Sequence, residues 1–215
     1  MLFPIAATLA YYALPVSLQE QTLVLFAPQI AAYIALGLWA AHNRDVISRL
    51  GLKTGNIWEG LRWGLPTGLL LGCMNTFVIL SAYPHLGYDI SFLKTTPHGR
   101  LPLMVMVPCF ICGIAFLIEL NFRGFLLGRL AALESGLWRS GLAQRFPPLA
   151  LTTSALIFAF DPFVLNAFQH LHWIAVWDVL IWGIIYLRTR NLYTTIIAHA
   201  VEVMVMYSAV RFVLS

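Results

Sequence analysis

The chain has 215 residues, of which 60% are hydrophobic and 10% charged, with a formal net charge of +4. Soluble domains carry about 25% charged residues, so this composition excludes an ordinary soluble protein and predicts a polytopic membrane protein with little chain left for a separate soluble domain. The basic excess does not point to nucleic acid, because the Lys and Arg residues fall in short loops between apolar segments, as membrane topology requires.

Seven apolar segments follow one another, at about 2–18, 22–41, 60–82, 101–122, 148–168, 172–187 and 192–214. They predict an all-α, polytopic transmembrane helix bundle with about seven spanning helices. The first segment is short and contains Pro4 and Pro15. No Lys or Arg precedes its apolar run, so it reads as a first spanning helix and not as a cleaved leader. Polar stretches at 42–56 and 83–100 flank the third segment. Arg123–Phe146 reads as a basic amphipathic continuation of the fourth helix, then a loop ending at Pro147-Pro148. No internal repeat or low-complexity tract is visible.

The basic residues set the orientation. With the N-terminus inside, the inner side holds ten: Arg44, Arg49, Lys53, Arg62, Arg123, Arg129, Arg139, Arg145, Arg188 and Arg190. The outer side holds three, Lys94, Arg100 and Arg211. This positive-inside bias predicts a cytoplasmic N-terminus. If the first segment does not span, the N-terminus moves outside and the rest is unchanged.

Three cysteines, Cys73, Cys109 and Cys112, lie in apolar segments. Cys109 and Cys112 form a CxxC, but no second CxxC completes a metal site, and in a membrane helix Cys packs as a small hydrophobe. Neither disulfides nor a cofactor is expected.

The fourth segment carries the chemistry, in Ala115–Leu130, AFLIELNFRGFLLGRL. Glu119 and Arg123 are four residues apart, on one helix face. Ionisable groups in a membrane helix are costly and mark functional sites by default. The orientation places Glu119 just inside the cytoplasmic boundary and His199 roughly 10 Å deep from the same side. Glu202 is one turn deeper than His199 and faces the same way. A carboxylate here can act as general base on a water, and an imidazole can donate a hydrogen bond to developing negative charge. Arg123 would hold Glu119 ionised and aimed. The plainer alternative is a self-neutralised Glu119–Arg123 pair that fixes the helix end at the headgroups.

His199 and Glu202 have spacing that two metal ligands can use, but no HExxH accompanies them and a third ligand would have to come from another helix. A hydrogen-bonded His–Glu pair inside the bundle is the expected arrangement, with no metal. Asp161 precedes Pro162, which breaks the backbone ladder near Phe158, and is expected to cap that break. Asp178, near the middle of the sixth segment, needs a partner. His170 and His172 fall at the outer turn between the fifth and sixth helices, where an interfacial place is expected. Trp58, Trp63, Trp173 and Trp182 suit interfacial belts or core packing.

Three blocks occur in order: ELNFRGFLLGRL, SALIFAF and YLRTRNLYTTIIAHAVE. They resemble the membrane-embedded CAAX protease and bacteriocin-processing family, over about Ile111–Met206. The resemblance implies a helical core with an EExxxR motif, an FxxxH motif and a late His motif that often ends in Asn. The second Glu of the first motif falls on Glu119 and its Arg on Arg123. The first Glu, which the family uses to activate water, falls on Ile118. The second-motif Phe falls on Phe158 and its His on Pro162. The late His falls on His199, and the Asn that follows it falls on Val203, beside Glu202. Two substitutes are conceivable: His172, in the literal FxxxH of Phe168–His172, and Glu202 for the lost Glu.

The resemblance thus implies an integral membrane domain with N-terminal helices at 1–110, a CAAX-protease-like core at 111–206 and the end of the last helix at 207–215. The missing acid and His favour a non-catalytic or strongly diverged protein, a binding or scaffold subunit of a membrane complex. The first alternative is an active intramembrane glutamate-type endopeptidase with Glu119, Arg123, His199 and Glu202 at its centre, acting on a membrane or lipidated substrate. The second is a small transporter or lipid-binding protein. Membrane lipids and other membrane subunits are the expected partners, and a bacterial inner membrane the expected location.

Overall fold

The computed structural model describes residues 2–137 and 147–214. All regular structure among them is helical. Two inner-side basic residues, Arg139 and Arg145, and the loop up to Phe146 lie outside the described residues.

Among the described residues seven main helices carry the fold. They are α1 Leu2–Tyr12, α2 Thr22–Ala41, α3 Ile57–Phe77, α4 Leu103–Leu137, α5 Pro148–Ala159, α6 Pro162–Thr189 and α7 Leu192–Leu214. Helix α3 runs on through a wide π turn at Val78–Ala82. Among the described residues five helical stretches are long and apolar enough to cross a membrane: α2, Val46–His85 around α3, α4, α6 and α7. Helices α1 and α5 are apolar but shorter.

Helix α4 is irregular, with π turns at Met106–Gly113 and Leu120–Leu127. Pro108 sits in the first of these and has no N–H to give to the ladder, which accounts for a widened turn there.

One break is added to the sequence expectation. The chain breaks at Phe160–Asp161 as well as between 168 and 172: Pro162–Phe168 is a short helix, a 3-10 turn covers Gln169–Leu171, and His172–Thr189 follows, the three together making up α6. Asp161 has extended backbone, and its carboxylate accepts from the N–H groups of Phe163 and Val164 at 3.0 and 3.4 Å. Pro162 stands at the first helical position, where its missing N–H costs nothing. The expected cap is therefore present, but it starts a new helix. His170 and His172 stand at the expected turn, over Gln169–Leu171, where Gln169 has φ 48°.

The chain divides into two compact units. The first comprises residues 1–50 and 120–188. Within it α1 packs along α2, and α5 packs on the second half of α4. The rings of Trp39 and Phe125 lie 5.6 Å apart, those of Phe26 and Phe163 5.0 Å. The Glu134 carboxylate caps α5 from a distance, accepting from Leu149 N–H at 3.2 Å and Ala150 N–H at 2.6 Å. Asp161 also accepts from Gln29 Nε2 at 3.0 Å, which ties α2 to the start of α6.

The second unit comprises residues 51–119 and 189–215. Its core is the packing of α3 on α7. Gly60, Gly64, Gly68 and Gly72 form a stripe at every fourth residue, so they share one face of α3. A Cβ at Gly68 would come within 2.5 Å of the Ala198 carbonyl oxygen, and one at Gly64 within 2.8 Å of that of Thr194. Only glycine allows this backbone approach, the device by which membrane helices associate without a hydrophobic driving force. The turn before α7 is tied down by Asn191, whose Nδ2 donates to Asn56 O at 2.8 Å and whose Oδ1 accepts from Tyr193 N–H at 3.1 Å. At the other end of α7, Arg211 donates to Leu101 O at 2.8 Å.

Candidate functional site

In the second unit three helices bring polar side chains into an otherwise apolar interior. Helix α7 presents His199 and Glu202, three residues apart on one face. Helix α4 presents Glu119, and α3 presents Asn75. All four are buried; Glu119 and Asn75 have no accessible surface.

His199 Nδ1 lies 2.9 Å from Glu119 Oε1. With Glu119 ionised, Nδ1 carries the proton and donates, because a carboxylate only accepts. Asn75 Nδ2 donates to Glu202 Oε1 at 2.7 Å. Hydrogen bonds to a charged acceptor are short and about twice as strong as neutral ones, and a low local dielectric strengthens them further. Chemically, the first pair is a carboxylate holding an imidazole in one tautomer and orientation, as a proton-transfer site requires. The second is a carboxylate held in place by a neutral amide.

Arg123 belongs to the first unit. It is fully buried, and its guanidinium lies 5.0 Å from the ring centres of both Phe158 and Trp182. Such a sandwich is worth about 2 kcal/mol or more when desolvated. The rings of Phe122 and Phe158 meet edge to face at 4.9 Å, and Ser154 Oγ donates to Phe122 O at 3.3 Å. Asp178 is buried one turn before Trp182 on α6. His172 also lies in the first unit. Its Nδ1 is 2.7 Å from Gln169 O, and its ring lies 4.7 Å from that of Trp173 and 5.7 Å from that of Phe160.

The structure thus brings Glu119 together with His199, and it ties Glu202 to a residue that sequence reasoning missed. Asn75 is a polar side chain inside the apolar third segment, three residues beyond the last glycine of the stripe. Both signals were present in the sequence, but neither says which residue on which helix would be met. Among the described residues no three His, Cys, Asp or Glu side chains form a metal-ligand group. Cys73, Cys109 and Cys112 are exposed on their helices.

Residues 100–205 match the family model for the type II CAAX prenyl endopeptidase Rce1-like proteins. Over this stretch, just under half of its length, the chain is similar to the Rce1-like family. No curated protein and no solved structure matches the chain significantly. The Rce1-like stretch contains Glu119, Arg123, Phe158, Pro162, His199 and Glu202, and it begins after Asn75. With five helices long and apolar enough to cross a membrane, the protein is a CAAX-protease-like integral membrane protein.

Proposed function

We propose that this Rce1-like protein does not cut peptide bonds and serves as a binding or scaffold subunit of a membrane complex, with lipids and other membrane proteins as its partners. The observation that carries this reading is the junction Asp161–Pro162. Pro162, where the resemblance places the second-motif His, is the first residue of α6 and offers no proton-transfer group. The carboxylate beside it is engaged by two backbone N–H groups and Gln29. Ile118 likewise supplies no acid where the water-activating Glu is expected. Without the groups expected at these two positions, much of a roughly 10²–10⁴-fold acid–base contribution is lost. On this reading Glu119–His199 and Asn75–Glu202 hold helices in register. The positive-inside pattern supports a cytoplasmic N-terminus, and the compact chain with its family resemblance favours a bacterial inner membrane.

A second reading is an active intramembrane endopeptidase, favoured by the buried Glu119–His199 pair at 2.9 Å. One experiment separates the two. The purified protein in lipid nanodiscs is offered prenylated and unprenylated C-terminal peptides. The expected result is no product above the His199→Ala control, together with stoichiometric cross-linking of a defined membrane protein in native membranes. Cleavage that disappears in Glu119→Gln and His199→Ala would overturn the scaffold reading.

A further inference from the structure

We propose that Asn75 is a positioning residue that fixes the Glu202 carboxylate beside His199, so that the polar site extends onto α3, outside the Rce1-like stretch. The inference rests on Glu119, His199 and Glu202 sharing one buried polar site, whether or not that site cuts peptide bonds. Asn75 has no accessible surface, and its amide reaches Glu202 Oε1 at 2.7 Å. A buried amide in an apolar helix is costly unless its polar atoms are met. Helix packing by itself does not call for it, because the glycine stripe already gives α3 its close approach to α7. The stripe explains how the contact arises. Asn75 follows Gly72 by three residues on the same face, and Gly72 lies against Val205 and the Glu202 carbonyl. An amide placed there meets Glu202, which lies on the His199 face of α7.

A neutral amide is suited to this role. It donates to the carboxylate without adding a charge to the interior. Within the unit, the groups on helices packed against α7 that titrate or carry charge are Glu59, Arg62 and Cys73 on α3, and Glu119, Cys109 and Cys112 on α4. Lys94, Arg100, Tyr207 and Arg211 stand toward the other end of α7. Of the acids in these sets, only Glu119 is buried. Glu119 and Glu202 are thus the two buried carboxylates that share the interior with His199.

The test uses the full chain in nanodiscs with isotope-labelled histidine, reading the His199 Nδ1 nitrogen signal at one fixed pH. The signal is assigned by its loss in His199→Ala. Asn75→Leu and Glu202→Gln are each expected to shift it by more than a linewidth. The double variant should match Glu202→Gln alone, and Asn75→Gln should restore the wild-type position. Asn75→Ala serves where the leucine variant does not fold. If Glu202→Gln moves the signal and the Asn75 variants leave it in place, Asn75 only packs helices, and the proposal falls while the site reading stands. If Glu202→Gln also leaves it in place, Glu202 is no part of the site, and both fall.

Discussion

Glu119 Oε1 and His199 Nδ1 are hydrogen-bonded at 2.9 Å between residues 80 apart in sequence. Removing one partner leaves the other buried without its bond, at a cost of about 1–3 kcal/mol. Glu119→Leu should therefore destabilise the protein by about that amount. Adding His199→Leu should recover part of it, since the apolar pair leaves neither member of this bond buried without its partner. Reversible unfolding in bicelles over the double-mutant cycle measures this. Strictly additive effects would mean the pair is uncoupled.

The glycine stripe makes a second prediction. Gly68→Ala puts a methyl group against the Ala198 carbonyl oxygen, a backbone atom that cannot swing away. The helices must separate, at a cost of about 1–3 kcal/mol. Gly37, inside α2, has nothing within 4 Å of an added Cβ. Gly37→Ala should stabilise by about 0.5–1 kcal/mol through lower backbone entropy and better helix propensity. Thermal melts of the two variants should move in opposite directions. Equal shifts would mean α3 and α7 are not in close contact.

Asp161 starts α6, so Asp161→Ala should cost about 0.5–2 kcal/mol, while Asp161→Asn, another good cap, should cost less. Amide hydrogen exchange at Phe163 and Val164 reports it directly, because those N–H groups lose their acceptor. Protection unchanged in Asp161→Ala would remove Asp161 as the cap.

A similar experiment applies to Glu134. Its carboxylate accepts from the Leu149 and Ala150 amides, so Glu134→Ala should speed exchange at both. The destabilisation should be about 1 kcal/mol. Unaltered exchange at those two amides would show that α5 does not depend on Glu134.

Arg123 tests the aromatic sandwich. Arg123→Lys keeps the charge but loses the flat guanidinium that stacks between Phe158 and Trp182. A loss of about 1–2 kcal/mol is expected, and it should largely vanish in a Trp182→Leu background. A full loss that persists there would place the energy elsewhere.

Much of the fold was legible in the sequence because membrane insertion depends on local composition. The segments at 22–41 and 192–214 coincide with α2 and α7. The break at Asp161–Pro162 and its cap were legible as an acid followed by proline, but the broadly apolar segment from 148 to 168 gave no sign that a new helix starts there. The stripe from Gly60 to Gly72 was equally plain in the sequence, yet its meaning depends on a second helix that fits against it.

The sequence by itself determined the helices, their burial in a membrane and the ELNFRG and AHAVE blocks of the Rce1-like stretch. Each follows from hydropathy or from residues a few positions apart. Only the tertiary structure decided that His199 meets Glu119 across 80 positions and that Glu202 meets Asn75 across 127. Periodicity tells which residues share a face of one helix, but not which face another helix will meet. That is set by where glycine lets two backbones touch.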